Sequence, residues 1–345
     1  MYKNFWWPLA TYNEVSNKPI RVTALQQEFV LYRLPNGKAQ VLSDLCVHRG
    51  GALSDGWLEG NCIVCPYHGW QFTDDGACVK IPANLTGVPV PRKARVDSYP
   101  TVEKYGFVWA FLGDLSETER IPIPNLSAIP ADAKGATGNI TWQAPYQTVI
   151  AYFGDLSKAF LANDAEFAGA TAKINTAQVT QHDWSLNANG SITPPKHIEA
   201  SFLGLVKKEV DSPQTEAKSD VHFPCITTHS VADGHLVLIH LPVNDKVTQT
   251  KWLMVKNQSA EINKTLGAAL KHMRSGVESG KVPANVATQA FARMCQEAIR
   301  RGWGIDIHTI QADYANIKAV VIPSPARREV PELAAAWVLK EVPVI

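Results

Sequence analysis

Two short cysteine–histidine pairs constrain this chain more than anything else in it. Within CVHRGGALSDGWLEGNCIVCPYHGW stand Cys46-x-His48, sixteen intervening residues, and then Cys65-x2-His68. Placed on neighbouring loops, the pairs deliver two thiolates and two imidazoles to one place. Chemistry that takes one Cys and one His from each loop is that of a [2Fe–2S] cluster in which two His replace two Cys on one iron, raising its reduction potential above that of an all-cysteine cluster. Gly50, Gly51 and Gly69 permit close backbone approach, and Pro66 stiffens the second loop. The alternative is a single tetrahedral zinc ion, for which Cys62-x2-Cys65 would be a suitable pair. A one-residue Cys-x-His spacer is unusual for a zinc finger. Cys62, Cys78, Cys225 and Cys295 read as small buried apolar residues.

The pairs sit in a stretch of strand-like runs. From Met1 to about Leu126, IRVTAL, EFVLYRL, AQVLSDL, CIVC and GFVWAFLG alternate with turn residues, and Asn36-Gly37 and Asp75-Gly76 are hairpin signals, so a small antiparallel β domain is expected. Prolines at 82, 89, 91, 100, 122, 124 and 130 mark an irregular return path and a boundary near residues 115–135. We place the domains at 1–125 and 126–345. In the second, TWQAPYQTVIAYFGDLSKAFLAND is expected to be helical after Pro145, as are SAEINKTLGAALKHMRSGVESG and VATQAFARMCQEAIRRGWGIDIHTIQADYANIKAV. Between them HIEASFLGLVKKEV, HFPCITTHSV, HLVLIHLPV and KWLMVK read as strands. An α+β chain follows, with a sheet and packed helices in its second half.

Bulk properties exclude some functions. The 345 residues carry 33 Lys and Arg against 32 Asp and Glu, with no block of like charge, so no nucleic acid or anionic membrane surface is expected as partner. No run approaches the roughly 18 apolar residues needed to span a bilayer. The N-terminal MYKNFWWPLATYNEV does not resemble a signal peptide, which makes a cytoplasmic location the expectation, and its thiols are expected as ligands or free groups rather than disulfides.

With FWWPLATYNEV, CVHRG, CPYHGWQF, GACVKIPA, VEKYGFVWAFLGD and the Asp155-Leu156-Ser157 string in order, the chain resembles an α subunit of the Rieske non-haem iron oxygenases over essentially its whole length. It is most similar to the group of small homotrimeric demethylases and monooxygenases. The resemblance implies an N-terminal all-β Rieske domain with its [2Fe–2S] cluster on Cys46, His48, Cys65 and His68. It also implies a C-terminal catalytic-type domain of helix-grip kind, where a mononuclear Fe(II) ion activates oxygen with electrons from a neighbouring subunit's cluster.

The second metal site departs from that pattern. The family's ligand helix reads Asp-x2-His-x4-His, whereas this chain has Asp155, then Lys158 and Asn163 where both histidines are expected. Asp155 matches the acid that bridges the two centres, and Asp306 falls where the carboxylate ligand belongs. An α-helical wheel places Asp155, Lys158 and Asn163 within about 140° of one another. A Lys ammonium has no lone pair and an Asn amide oxygen is a weak ligand, so a conventional mononuclear Fe(II) site is doubtful. One reading puts the Lys158 ammonium in the vacated metal position, compensating Asp155 and Asp306; the plain alternative is a solvated helix face. Metal could also be held elsewhere, by His182, His197, His222, His229, His235, His240, His272 or His308, four of which (222, 229, 235, 240) fall on successive expected strands.

Two functions therefore stand. The chain is expected to be a Rieske-type oxidoreductase, oxygenase-like toward a small organic substrate although it lacks the usual 2-His-1-carboxylate site. The alternative is a non-catalytic electron-transfer or structural subunit beside a paralogous iron-bearing chain. Either way a ferredoxin or flavin reductase is the expected electron donor, because no Gly-rich dinucleotide fingerprint is present. A homotrimer or a hetero-oligomer with that paralogue is the expected assembly.

Overall fold

The computed structural model describes residues 1–162, 171–200, 207–232, 234–255, 260–281, 284–305 and 322–326. Two compact units are present, Met1–Ile123 with the described residues beyond 300, and Pro124–Arg300.

The first unit is all β: β1 Phe5–Thr11, β2 Ile20–Ala24, β3 Gln27–Arg33, β4 Ala39–Ser43, β5 Trp57–Glu59, β6 Cys62–Val64, β7 Gln71–Phe72, β8 Cys78–Lys80, β9 Ser98–Tyr99, β10 Thr101–Lys104 and β11 Phe107–Leu112. They form three antiparallel sheets, ordered β1-β11-β10, β2-β3-β4-β9 and β5-β6-β7-β8. Both expected hairpins are there. Gly37 (φ +87°) turns β3 into β4 and Gly76 (φ +85°) turns β7 toward β8, each in the left-handed region that glycine enters without strain. Val30, Tyr32, Leu42, Ile63 and Phe72 pack together with Cys46, Cys65 and Trp70, so the two cysteine loops are part of this core rather than appended to it. Residues from the chain's far end close the unit. Lys3 N–H donates to the Trp303 carbonyl at 2.9 Å, Phe5 meets Trp303 edge to face, and Asp97 Oδ1 accepts both the N–H and the hydroxyl of Ser324.

The second unit contains β12 Ala136–Trp142, β13 Lys173–His182, β14 Ser185–Thr193, β15 His197–Ala200, β16 Lys207–Val210, β17 Thr215–His222, β18 Ile226–Val231, β19 Gly234–Pro242 and β20 Thr248–Val255. Its helices are α1 Tyr146–Phe153, α2 Ala260–His272, α3 Arg274–Glu278 and α4 Val286–Arg300. Seven strands form one antiparallel sheet in the order β12-β20-β19-β18-β17-β14-β13, while β15 and β16 pair separately. Thus the run read as a single strand, HIEASFLGLVKKEV, contains two antiparallel strands. The α+β architecture expected from sequence is the one observed.

Strand periodicity sorts the central strands onto two faces. Val221, Thr227, His229, Leu236, Leu238, His240, Thr250 and Trp252 share one face, because they are register partners or second neighbours. Apolar members of that face pack with Trp142, with Val149 and Phe153 of α1, and with Leu156, Phe160 and Leu161 beyond it. Helix α1 begins after Pro145, as expected, but stops at Gly154, whose N–H caps the Ile150 carbonyl at 2.7 Å. A Cβ at Gly154 would lie 2.7 Å from Val221, so the chain turns there and continues as a 3₁₀ helix over Leu156–Ala162. The α-helical wheel drawn through Asp155, Lys158 and Asn163 therefore does not describe this segment. No helix among the described residues is long and apolar enough to cross a membrane.

Four polar side chains on the covered face bond in series. Trp142 Nε1–H donates to Thr250 Oγ1 at 2.7 Å, and His240 bonds Thr250 Oγ1 through Nδ1 at 2.9 Å and Thr227 Oγ1 through Nε2 at 3.0 Å. Both Trp142 and His240 are fully buried. Thr250→Val strips a partner from each, and orphaned buried groups cost about 1–3 kcal/mol apiece. The variant should lose roughly 2–5 kcal/mol in urea unfolding, with Thr250→Ser recovering most of it; equal stability of the Val and Ser variants would disprove the series.

Candidate metal centre and the second pocket

The four sequence-selected ligands lie on two loops that repeat one backbone design. In the first, Cys46 N–H donates to the Gly51 carbonyl and Gly50 N–H to the Cys46 carbonyl; in the second, Cys65 N–H donates to the Trp70 carbonyl and Gly69 N–H to the Cys65 carbonyl, all at 2.9 Å. Gly50 and Gly69 take φ of +70° and +71°, which closes each loop tightly enough to turn its side chains toward the other. Gly51 sets their separation: a Cβ there would stand 3.0 Å from Cys65 Sγ and 3.2 Å from Tyr67 Cβ. Asp44, which sequence reasoning missed, anchors the first loop. Its buried carboxylate accepts from Ser54 N–H at 2.6 Å, Ser54 Oγ at 2.7 Å and Arg21 Nε at 2.9 Å. An isolated Asp between a strand and a Cys carries no spacing signal that would reveal this.

Side chains sort by element. The two sulfurs are buried and hydrogen-bonded to each other. The Cys46 thiol's hydrogen bond holds Cys65 down to about 6 despite burial, with the Tyr67 and His68 N–H groups adding to it, while Cys46 is pushed well up by the same bond and by burial. The imidazoles pair separately, with ring centroids 4.5 Å apart, and Trp70 stacks on His48 at 4.6 Å with planes 6° apart. His48 Nδ1 is buried without a hydrogen-bond partner, and burial, then His68 and Arg49, lower its pKa. His68 is exposed.

This donor set fits a two-iron cluster better than a single ion. Two sulfurs at one end and two imidazoles at the other suit a dinuclear centre with unlike irons. The unpartnered His48 Nδ1 and the room preserved at Gly51 are what such a group would fill.

The second unit answers the remaining expectations unevenly. Asp155 Oδ1 accepts from Ser157 N–H at 2.8 Å. Lys158 is not on a solvated face: it is 5% exposed, its Nζ donates to Thr171 Oγ1 at 3.1 Å and stands 4.8 Å over the Tyr152 ring. Burial lowers its pKa and Asp155 opposes that. Asn163, Asp306 and His308 lie outside the described residues. The four strand histidines do not converge, because His229 and His240 face the helices and His222 and His235 the opposite side. His182 and His272 are exposed, His197 is described by backbone alone, and His235 Nδ1 bonds Ser230 Oγ at 2.9 Å. His229 is buried with neither ring nitrogen in a well-formed hydrogen bond; burial lowers its pKa to about 4, against the pull of Asp155 and the Phe153 carbonyl. Burial also lowers His222 to about 4, with Asp220 opposing.

Comparison with known proteins agrees with this site. Residues 5–100 match the family described as the Rieske [2Fe–2S] domain. The chain is 37% identical over 131 residues to aminopyrrolnitrin oxygenase PrnD of Pseudomonas fluorescens, covering 37% of this chain and 36% of that one. It is 35% identical over 126 residues to methylxanthine N1-demethylase NdmA of Pseudomonas putida, covering 35% of each. The aligned part thus spans about a third of the length of these curated relatives. In fold the similarity runs further. Dicamba monooxygenase bound to dicamba superposes with a TM-score of 0.61 at 20% identity over 86% of this chain and 96% of that one, and NdmA with caffeine with 0.64 at 21% over 86% and 90%. Residues 5–100 therefore match the Rieske [2Fe–2S] domain family, and the chain that carries them has the fold seen in dicamba monooxygenase and NdmA.

Proposed function

We propose that this chain is a Rieske oxygenase-type oxidoreductase, with its [2Fe–2S] cluster held by Cys46 and Cys65 on one iron and His48 and His68 on the other. The observation that carries the reading is the pairing of like donors across twin loops, sulfur with sulfur and imidazole with imidazole. When bound, the cluster supplies a one-electron carrier of raised potential. The chain's own contribution is legible at each atom. Cys46 and Cys65 bring their sulfurs together, Trp70 fixes the His48 ring, and exposed His68 brings the imidazole end to the surface. Relatives named for oxygenation and demethylation of small organic molecules support a small organic substrate, with electrons from a ferredoxin or flavin reductase. We place the chain in the cytoplasm, where its cysteines serve as ligands or thiols rather than in disulfides.

In the second unit, the proposal keeps Asp155 as the acid between centres and places the Lys158 ammonium in the position of the first ligand histidine, balancing Asp155 and Asp306, with Asn163 in place of the second. Buried Lys158 supports this, since an ammonium beside a carboxylate supplies positive charge but no coordination. It also favours the second reading, an electron-transfer or structural subunit in a trimeric or mixed assembly with a paralogous iron-bearing chain.

Metal analysis separates the two. Anaerobically purified protein should be brown and contain about two irons and two acid-labile sulfides per chain, with Cys46→Ser or Cys65→Ser losing both; about three irons would reveal a mononuclear site and return the chain to conventional oxygenation. A colourless, zinc-containing protein would end the proposal altogether. Lys158→Met, which leaves carboxylates without their cation, should destabilise the fold by on the order of 3 kcal/mol, and an unchanged melting curve counts against the charge substitution. Lys158→His combined with Asn163→His should bring in a further iron.

A further inference from the structure

Among the described residues the seven-stranded sheet ends on β13, and all ten residues of Lys173–His182 are exposed. The core side of the sheet does not stop at the neighbouring strand. Ile174 lies opposite Ile192, Ala177 opposite Gly190 and Val179 opposite Ala188, and Ile192 and Ala188 belong to the buried cluster that contains Trp142 and Phe153. Residues directly opposite share a face, so Ile174, Ala177 and Val179 carry the apolar side outward, where Ile174 and Val179 are 41% and 42% exposed. Helix α4 meets the strand at its far end, where Arg293 Nη1 donates to Gln181 Oε1 at 2.9 Å. The edge itself lacks the usual protection. From Ile174 to His182 the sequence holds no Lys, Arg, Asp, Glu or Pro, and the register shift between Ile174 and Thr176 disturbs the strand near its start, leaving the centre regular.

We propose that β13 docks against β13 of a second copy of this chain, antiparallel, about a two-fold axis through Gln178. The strand is complementary to its own reverse. With Gln178 opposite the partner's Gln178, Ala177 meets the partner's Val179 on the core side and Thr176 meets the partner's Thr180 on the other, each pair occurring twice. Aliphatic and Thr–Thr pairs are favourable across a ladder, and no like charges are opposed. The charges stand at the two ends: Lys173 opens the strand and exposed Asp183 follows it, so reversal brings each Lys173 near the partner's Asp183. A slip of one residue would turn the partner's apolar side to the wrong face, which fixes the register. The contact is isologous and joins two seven-stranded sheets into one. A single strand edge is a small interface, so the association is reversible and concentration-dependent. It is separate from a ring of three chains, which it would double, and it does not rest on the function proposed above.

Sedimentation of the full-length, cluster-loaded protein from nanomolar to high micromolar concentration tests this. A species of doubled mass should dominate at the high end, whether the smaller species is one chain or a ring. Gln178→Lys sets two ammoniums against each other on the axis and should weaken the doubling about tenfold or more, while the melting curve at low concentration and the cluster's visible absorption stay as they were. Lys173→Asp should weaken it as well, and adding Asp183→Lys should restore it. Under mild oxidation Gln178→Cys should cross-link to its own copy as a reducible dimer band that the wild-type protein lacks. Val179→Cys, which meets the partner's Ala177, should not. Should Gln178→Lys fail to fold, the charge exchange and the cross-link decide. A mass that stays at the smaller species throughout, a doubling that Gln178→Lys leaves unchanged, or cross-linking of Val179→Cys as readily as of Gln178→Cys overturns the proposal.

Discussion

The first unit depends on burying two cysteine side chains against each other, one from each loop. Two isolated thiolates in a core would be prohibitive. Here the Cys46 hydrogen bond and the backbone N–H groups of Tyr67 and His68 lower the Cys65 pKa, offsetting part of the cost of burial. Metal binding displaces the thiol protons, since thiolates are the ligating form. The sheets serve this arrangement. Tyr32, Phe72 and Ile63 pack around the cysteines, and Asp44 ties the loop to Arg21 and Ser54, so motion of either loop would disturb the core.

The second unit works by segregation rather than convergence. A period of two sends consecutive residues of a strand to opposite faces, so the four histidines on β17, β18 and β19 are divided two and two before any energetic preference acts. On the helix-covered face His240 is absorbed into a closed hydrogen-bonded series and stacks on Phe153, a structural role. On the other face Asp220 and His222 lie two apart on one strand and are left incompletely bonded. Strand position fixes the face but not the bonding: His229 on the helix-covered face lacks a well-formed hydrogen bond, whereas His235 on the other face bonds Ser230.

Legibility followed the range over which each signal acts. Cys46-x-His48, Cys65-x2-His68, Asn36-Gly37 and Asp75-Gly76 are local patterns whose geometry is fixed within a few residues, and all could be read directly. The start of α1 at Pro145 was legible for the same reason. Its end was not: a glycine is required at 154 because Val221, 67 positions away in sequence, leaves no space for a side chain there. Burial of Lys158 and the clasp of Asp44 are likewise tertiary facts. So is the pairing of sulfur with sulfur and ring with ring, which the spacing permits but does not demand.

On the reading proposed above, the Lys158 ammonium stands in for a metal ion in charge but not in coordination. An iron(II) ion offers two positive charges and open coordination positions; an ammonium offers one charge, three hydrogen-bond donors and none of those positions. Where the requirement is electrostatic, to keep Asp155 tolerable beside an apolar core, the exchange is adequate, and the surrounding Phe153, Leu156 and Phe160 pack undisturbed. Where the requirement is to bind oxygen, it fails. On the reading proposed here the twin-loop site and the two-unit architecture persist because their stability rests on backbone and core interactions that never involved the second metal, so loss of that metal's ligands leaves the electron-carrying half intact.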